Sequence, residues 1–232
     1  MIDISADMGE GSPGEDEIWP LIDSANVACG GHIGDAESMA YAARRAREHG
    51  VRLGAHPSYP DRENFGRKSI SMTPAALRAS LAAQIRALLA IAPIDFVKPH
   101  GALYNDAHRD AIRAGVIVEA MRDVDANLAI VCPDQSAMAT AARTSGVRVI
   151  REAFADRRYN PDGSLVSRAE PDALLGVDEA AEQAALLATE RAVIARDGSR
   201  IAVAHDTICI HADMERAVER LRAIRQRIGG HE

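Results

Sequence analysis

The chain has 232 residues, of which 47% are hydrophobic and 26% are charged, a balance typical of globular proteins that bury a core. This balance excludes a disordered tail, a collagen-like repeat and a disulfide-stapled miniprotein. The formal net charge of −7 argues against a nucleic-acid-binding protein, which needs a basic face for the phosphates. No apolar run approaches the roughly 20 residues that span a bilayer.

The cysteines and the first residues indicate the compartment. Cys29, Cys132 and Cys209 are odd in number and far apart, which excludes an even disulfide framework and a CxxC metal or redox motif. Buried thiols of this kind are typical of a reducing compartment. The acidic start of the chain lacks the basic and then apolar plan of a signal peptide. We therefore expect a soluble cytoplasmic protein with no membrane partner.

Short apolar segments, most of them rich in Val and Ile, alternate with segments of helical period. Such runs are typical of buried strands. The predicted strands cover residues 2–8, 25–29, 51–55, 95–98, 128–132, 147–150 and 207–210. This repeated alternation predicts an α/β protein with a mainly parallel sheet. No low-complexity linker divides residues 1–232, so we expect a single domain.

The helices between these strands have recognisable ends. Asp35 can cap a helix that Gly50 ends. Thr73 followed by Pro74 is typical of an N-cap and a first helical position. Asp213 stands where the last helix, predicted over residues 214–228, needs its N-cap. Each boundary places a helix after a strand, as repeated β/α units require.

Polar side chains follow almost every predicted strand. They are Asp7, Glu10, His32, His56, Lys98, His100, Glu152, Asp156, His211 and Asp213. In a barrel the carboxyl ends of all strands converge on one mouth, whereas an open sheet concentrates its site at one switch point. No P-loop motif follows a strand, so a P-loop nucleotide-binding fold is not indicated. We predict a (β/α) barrel with seven strands, short of the usual eight.

Lys98 and His100 end the fourth predicted strand. Residues two apart on a strand face the same side, so we expect both side chains to point into the barrel mouth. A buried lysine needs an anion or a carboxylate as its partner. We interpret the pair as an anion clamp or electrophile beside an acid/base histidine. The alternative is a lysine paired with a neighbouring carboxylate and a histidine that only caps.

His56 ends the third strand in the same way, and residues 58–72 after it show neither helical nor strand period. Loops of this length commonly cover a functional site. Tyr59 and Phe65 would anchor this loop as a lid, and a solvated charged loop is the alternative.

Asp7 and Glu10 place two carboxylates at the end of the first strand. They could form a general acid/base pair or, with histidines, bind a divalent metal of the zinc type. HxxxH and HExxH are both absent, and Lys98 would repel a cation. We therefore expect no tightly bound transition metal.

Glu152 and Asp156 share one face at the exit of the sixth strand, where ion pairing with Arg157 is the alternative to a functional role. His211 can be an oriented catalytic histidine even if its neighbour caps the last helix. The other histidines are interpreted as surface residues: His49, His108, His205 and His231.

Specific motifs recur in order from the first strand to the last helix. They are Asp7-Met8-Gly9-Glu10, Ala25-Asn26-Val27-Ala28-Cys29-Gly30 with His32, Gly54-Ala55-His56-Pro57-Ser58-Tyr59-Pro60-Asp61-Arg62, Asn64-Phe65-Gly66-Arg67, Val97-Lys98-Pro99-His100-Gly101-Ala102-Leu103-Tyr104-Asn105, Glu152 with Phe154-Ala155-Asp156-Arg157, and Cys209 with His211 and Asp213. This series resembles the LamB/YcsF family, whose members are also known as the A component of 5-oxoprolinase. Four positions depart from the family pattern: Ser5 replaces Asn, Gly31 replaces Phe, Ile33 replaces Ala and Ala212 replaces Gly.

The resemblance implies a barrel related to glycoside hydrolases and sugar deacetylases. It also implies ATP-dependent opening of the lactam 5-oxoproline to L-glutamate, with Mg²⁺ accompanying ATP and with two partner subunits, B and C. We expect catalytic roles for Asp7, Glu10, His56, Lys98 and His100. We expect substrate or phosphate contacts from His32, Arg62, Arg67, Tyr104, Asn105, Glu152, Asp156, Arg157, His211 and Asp213.

Two other function classes stay open. One is a metal-dependent, deacetylase-like hydrolase that acts alone on a carbohydrate. The other is a non-catalytic scaffold that holds the partner subunits together.

Overall fold

Seven parallel strands close into a barrel in the computed structural model, which describes residues 2–168 and 170–229. The barrel strands are β1 (Asp3–Met8), β2 (Ser24–Ala28), β3 (Arg52–His56), β4 (Phe96–Val97), β5 (Ala129–Cys132), β6 (Val149–Phe154) and β9 (Thr207–Ile210). Two further strands, β7 (Ala192–Ile194) and β8 (Arg200–Ala202), lie between β6 and β9 in the chain. The barrel order is β1-β2-β3-β4-β5-β6-β9, closed by β9 against β1. Strands β7 and β8 form a separate antiparallel hairpin. The predicted seven-stranded barrel is confirmed.

The helices lie between successive strands, as the alternation predicts. They are α1 (Glu15–Ile18), α2 (Ala36–His49), α3 (Pro74–Leu89), α4 (Gly101–Arg109), α5 (Ala111–Arg122), α6 (Ala137–Thr144), α7 (Val177–Glu190) and α8 (Ala217–Ile228). Within the described ranges, none of these helices is long and apolar enough to cross a membrane.

Two predicted helix starts are confirmed and one is wrong. Asp35 accepts a hydrogen bond from the backbone N–H of Ser38, and Thr73 caps α3. The last helix begins at Ala217 rather than directly after Asp213. The Asp213 carboxylate is held elsewhere, by the guanidinium of Arg67, so it does not cap a helix.

A small apolar cluster, here called the plug, lies inside the barrel below the strand ends. It consists of Phe96, Ala129, Val131 and Ile150. Gly54 makes room for it, because a Cβ at that position would lie 2.0 Å from the Phe96 ring. Side chains alternate along a strand, so Lys98 lies one layer above Phe96 and Glu152 lies one layer above Ile150. The plug is therefore the floor of the site described next.

Candidate active site

One large cavity, of about 1140 Å³, opens at the carboxyl ends of the barrel strands. Residues from the strand ends, from helix α4 and from the loop of residues 58–72 line it: Asp7, Glu10, His56, Arg67, Lys98, His100, Tyr104, Asn105, Glu152, Arg157, His211 and Asp213. Twelve of the fifteen site residues expected from the sequence therefore share one cavity. Barrel geometry brings them together although their positions in the chain are far apart.

Lys98 is the centre of a buried ion cluster. Its Nζ lies 3.0 Å from Oδ1 of Asp7 and 2.8 Å from Oε1 of Glu152, and it donates to Sγ of Cys209 at 3.0 Å. Burial by itself lowers the pKa of Lys98, but the Asp7 carboxylate and the other anionic groups raise it well above its ordinary value. Lys98 therefore stays charged, and the alternative of a lysine paired with carboxylates is the observed arrangement.

Tyr104 completes this cluster from helix α4. Its hydroxyl donates to Oε2 of Glu152 at 2.6 Å. Burial and the nearby Glu152 carboxylate raise the pKa of the Tyr104 phenol well above its ordinary value. The phenol therefore keeps its proton, and both oxygens of Glu152 are held in place.

His56 and His100 share a proton beside Asp7. Nδ1 of His56 lies 2.7 Å from the carbonyl oxygen of Lys98, and Nε2 of His100 lies 3.0 Å from that of Phe65. A carbonyl only accepts, so both of these nitrogens carry protons. The two inner nitrogens, Nε2 of His56 and Nδ1 of His100, then face each other at 3.0 Å. Both cannot be bare acceptors, so a proton lies between them.

The charges around the pair place that proton on His56. Burial lowers the pKa of His56, but the Asp7 carboxylate, whose Oδ2 lies 3.4 Å from Nε2, raises it above its ordinary value. Burial and the positive charge of His56 lower the pKa of His100 to about 2. His56 is therefore an imidazolium that donates to a neutral His100.

Glu10 is a neutral carboxylic acid. Ser58 donates its hydroxyl proton to the Tyr59 carbonyl, so the His32 Nδ1, 3.2 Å from that hydroxyl, must be the donor to it. The other nitrogen of His32, Nε2, is then an acceptor and lies 3.0 Å from Oε1 of Glu10. The proton between them belongs to Glu10. Burial and the nearby Asp7 carboxylate raise the pKa of Glu10 to about 8, in agreement with this assignment.

His211 is oriented by a buried aspartate. Both its backbone N–H, at 2.8 Å, and its Nδ1, at 3.0 Å, donate to Oδ2 of Asp156. Its ring stacks on Phe154, with 5.5 Å between the centroids. Burial opposes the charge of Asp156, but His211 lowers the pKa of that carboxyl to about 2. The Nε2 lone pair of His211 is thereby left available as a base at the cavity wall.

Three predicted site residues support the cavity without lining it. The His32 ring stacks on His100 at 3.7 Å and holds Glu10. Asp156 acts through His211. Arg62 donates to the carbonyl oxygens of Gly30 at 3.3 Å and Gly34 at 3.1 Å, so its guanidinium fixes a loop.

The loop of residues 58–72 contains no helix or strand, as predicted. Tyr59 is fully buried, and Phe65 packs edge-on against His32 and His100. The carbonyl of Phe65 also fixes the tautomer of His100. The two aromatic residues therefore anchor this loop over the histidines.

Several functional contacts were missed or misread from the sequence. Cys209, which contacts Lys98, was read only as a buried thiol, although it shares a strand face with His211. His108 was interpreted as a surface residue but lines the cavity, and His205 is only 1% exposed, with Nδ1 bonded to the Val203 carbonyl. His49 is exposed, as predicted, and His231 lies outside the described residues.

The histidines and carboxylates are also close enough to hold a metal ion. Asp7, His56 and His100 form one such group, and Glu10, His32 and His100 form another, with the ligand atoms of each group within 4.8 Å. The hydrogen-bond pattern satisfies both groups with protons, and Lys98 already occupies one oxygen of Asp7.

The barrel and its site define an acid/base enzyme class, with a neutral acid, a protonated histidine pair and an oriented base at one mouth. The family model for the LamB/YcsF family matches residues 2–232, and the chain belongs to this family. It is similar to the crystal structure of a lactam utilization protein from Thermus thermophilus, with 39% identity, a TM-score of 0.91, and coverage of 98% of this chain and 96% of the other.

A more distant similarity concerns the fold alone. A protein from Enterococcus faecalis V583 named for cellobiose-phosphate cleavage matches with 11% identity and a TM-score of 0.60, covering 98% of this chain and 93% of that one. Its barrel and this one share an architecture.

Proposed function

We propose that this protein is the ring-opening subunit of an ATP-dependent 5-oxoprolinase, which converts 5-oxoproline to L-glutamate with partner subunits B and C. The observation that carries the proposal is the coexistence of an acid and a base in one cavity. Glu10 retains a proton up to a pKa of about 8, and His211 is held by Asp156 with its Nε2 free of that carboxylate. Membership of the LamB/YcsF family and the relative named for lactam utilization support it.

The chemistry explains why ATP belongs to the proposal. An unstrained lactam resists water, and transfer of the γ-phosphoryl group to its carbonyl oxygen makes the ring carbon electrophilic. Mg²⁺ would accompany ATP in that transfer. The sequence contains no P-loop motif, so the proposal assigns the nucleotide site to the partner subunits, alone or together with this chain.

The residues of this cavity then perform proton transfers. His211 removes a proton from water as its oxygen attacks the activated ring carbon. The ring nitrogen keeps its own hydrogen in the phosphorylated lactam and receives one further proton from His56 or Glu10. The C–N bond then breaks, and the hydroxyl group of the tetrahedral intermediate returns its proton to the residue that acted as the acid. The products of this step are the amine and an acyl phosphate. A second water hydrolyses the acyl phosphate to the carboxylate of glutamate and inorganic phosphate.

Lys98 contributes to this mechanism by positioning. Its charge is already neutralised by Asp7 and Glu152, so it keeps Asp7 ionised rather than clamping a phosphate by itself. The ionised Asp7 in turn keeps the proton on His56 by raising the pKa of that imidazole. At the rim, Arg67 and Asn105 line the cavity and can contact the activated substrate.

The proposal is tested by measuring glutamate formation from 5-oxoproline. The isolated chain should form little or none, and activity should appear when the B and C partners, ATP and magnesium are added. Robust ATP-dependent turnover by the chain alone would remove the partners from the proposal. Turnover without ATP would overturn the mechanism.

A second candidate is a metal-dependent, deacetylase-like hydrolase of a carbohydrate. The convergence of Asp7, His56 and His100 within 4.8 Å favours it. Release of acetate from an acetylated sugar by the isolated chain, abolished by a chelator and restored by zinc, would support this candidate against the lactam.

A further inference from the structure

In the part of the chain that the structure describes, Arg157 is a buried charge without an ion-pair partner. The residue is 7% exposed and lines the cavity. With the described residues its side chain makes one hydrogen bond, from a terminal nitrogen to the Val166 carbonyl at 2.7 Å, and its buried Nε has no partner among them. Among residues 2–168 and 170–229, no carboxylate forms an ion pair with it. Other arginines at the rim differ, because Arg67 and Arg168 both contact Asp213.

Burying a charge without a counter-ion is costly. Burial and the nearby charge of Arg168 lower the pKa of Arg157 below its ordinary value, although the neighbouring Asp156 carboxylate acts in the opposite direction. In a ligand cavity, a bound anion offsets the unfavourable free energy of such an unpaired charge. The guanidinium fork suits a planar carboxylate, which it binds through two parallel hydrogen bonds.

The backbone that carries Arg157 is held in advance. Gln183, buried on helix α7, donates to the carbonyl oxygens of Phe154 at 2.9 Å, Ala155 at 3.1 Å and Arg157 at 2.8 Å. The bond to the Val166 carbonyl fixes the guanidinium itself. A group fixed in this way loses little freedom when it binds a ligand.

We propose that Arg157 binds the carboxylate of the lactam substrate, so that this enzyme selects lactams that carry a carboxylate over neutral lactams. The inference rests on the proposed function and adds to it the residue that recognises the carboxylate of the substrate. A single buried guanidinium matches one negative charge. A phosphate group is the other source of the same oxyanion chemistry, and the experiment below separates the two.

The experiment compares 5-oxoproline with 2-pyrrolidinone, the same five-membered lactam without its carboxylate, in the complex reconstituted with its partners. The kcat/KM of the wild-type complex should be roughly 10- to 150-fold higher for 5-oxoproline than for 2-pyrrolidinone. This factor corresponds to the free energy of a hydrogen bond to a charged group. Arg157→Met should abolish that preference by raising KM for 5-oxoproline, and it should leave 2-pyrrolidinone nearly unaffected. If Arg157 binds a phosphate group instead, Arg157→Met should lose activity equally with both lactams, and this result would overturn the proposal.

Stability provides a readout that does not depend on turnover. Arg157→Met removes an unpaired buried charge, so the melting temperature of the ligand-free chain should stay level or rise, whereas a merely structural arginine would lower it. Arg157→Lys, which keeps a charge but lacks the fork, should recover only part of the preference. Arg158→Met is the matched control, because Arg158 pairs with Asp172 and Glu179 outside the cavity.

The outcomes separate this inference from the proposed function. A complex that opens neither lactam would refute the proposed function. In that case the inference is tested by the melting temperature of the full chain with each lactam. 5-Oxoproline should raise this temperature more than 2-pyrrolidinone does in the wild type, and the difference should disappear in Arg157→Met. A wild-type complex that opens both lactams equally well would refute the inference and leave the function intact.

Discussion

Nε2 of His32 lies 3.0 Å from Oε1 of Glu10, and the proton between them belongs to the carboxyl group. The other side of the His32 ring donates to Ser58, so the imidazole can only accept from Glu10. Burial raises the pKa of Glu10 to about 8 and lowers that of His32 to about 3. A carboxylic acid kept neutral in this way can give a proton to a leaving nitrogen.

We predict a pH dependence of stability from Glu10. Its pKa of about 8 in the folded protein exceeds its ordinary value of 4.5, so the folded state binds this proton more tightly than the unfolded chain. The stabilisation is complete below the unfolded pKa and is lost as pH rises through about 8. Urea unfolding across that range should show a decline in the free energy of unfolding that Glu10→Gln flattens. Parallel declines in both proteins would contradict the assignment.

We predict that Lys98→Met destabilises the protein by about 3–5 kcal/mol, because it leaves the buried carboxylates of Asp7 and Glu152 without their cation. Removing one of these charges as well, in the double variant Lys98→Met/Glu152→Gln, should recover part of the loss. Denaturant unfolding of the three proteins measures both effects. A Lys98→Met protein as stable as the wild type would mean that the ion cluster is not formed.

We predict strong non-additivity between Asp7 and His56. Each single variant, Asp7→Asn or His56→Gln, should lower turnover by roughly 10²–10⁴-fold, the usual contribution of an acid/base group. Because both residues hold the same proton, the double variant should be little worse than the poorer single variant. Turnover numbers in the reconstituted complex measure this. A double variant whose loss equals the product of the two single losses would show that the residues act separately.

We predict that the purified chain carries no stoichiometric transition metal and stays folded after chelation and buffer exchange. His56 and His100 satisfy each other through a shared proton, and Lys98 lies 3.0 Å from Asp7. Elemental analysis measures the metal content directly. One zinc or iron per chain would overturn this prediction and favour the carbohydrate hydrolase.

The fold was largely predictable because its signals are local. The barrel strands contain or overlap short apolar segments, and Asp35 and Thr73 mark helix starts through contacts within three residues. The start of α8 was not predictable in this way. Asp213 has the right position for an N-cap, but Arg67, which is 146 residues away in the chain, holds its carboxylate.

The membership of the site was predictable from strand ends, whereas the roles within it were not. Lys98 and His100 face the same cavity, as their two-residue spacing predicts. The spacing contains no information on partners, so it could not show that two carboxylates neutralise Lys98. Nor could it show that Arg62 holds a loop or that the described residues supply no counter-ion to Arg157, because these facts depend on contacts between distant segments.

The most direct test of the account is the turnover of His100→Gln and His49→Gln in the complex with the B and C partners, 5-oxoproline, ATP and magnesium. His100 shares the proton of the histidine pair inside the cavity, and His49 is exposed at the end of helix α2. We predict that His100→Gln lowers glutamate formation by roughly 10²–10⁴-fold with a melting temperature near that of the parent, while His49→Gln is close to silent. Nearly full turnover by His100→Gln together with loss of turnover in His49→Gln would show that the active site is not at the strand ends of the barrel.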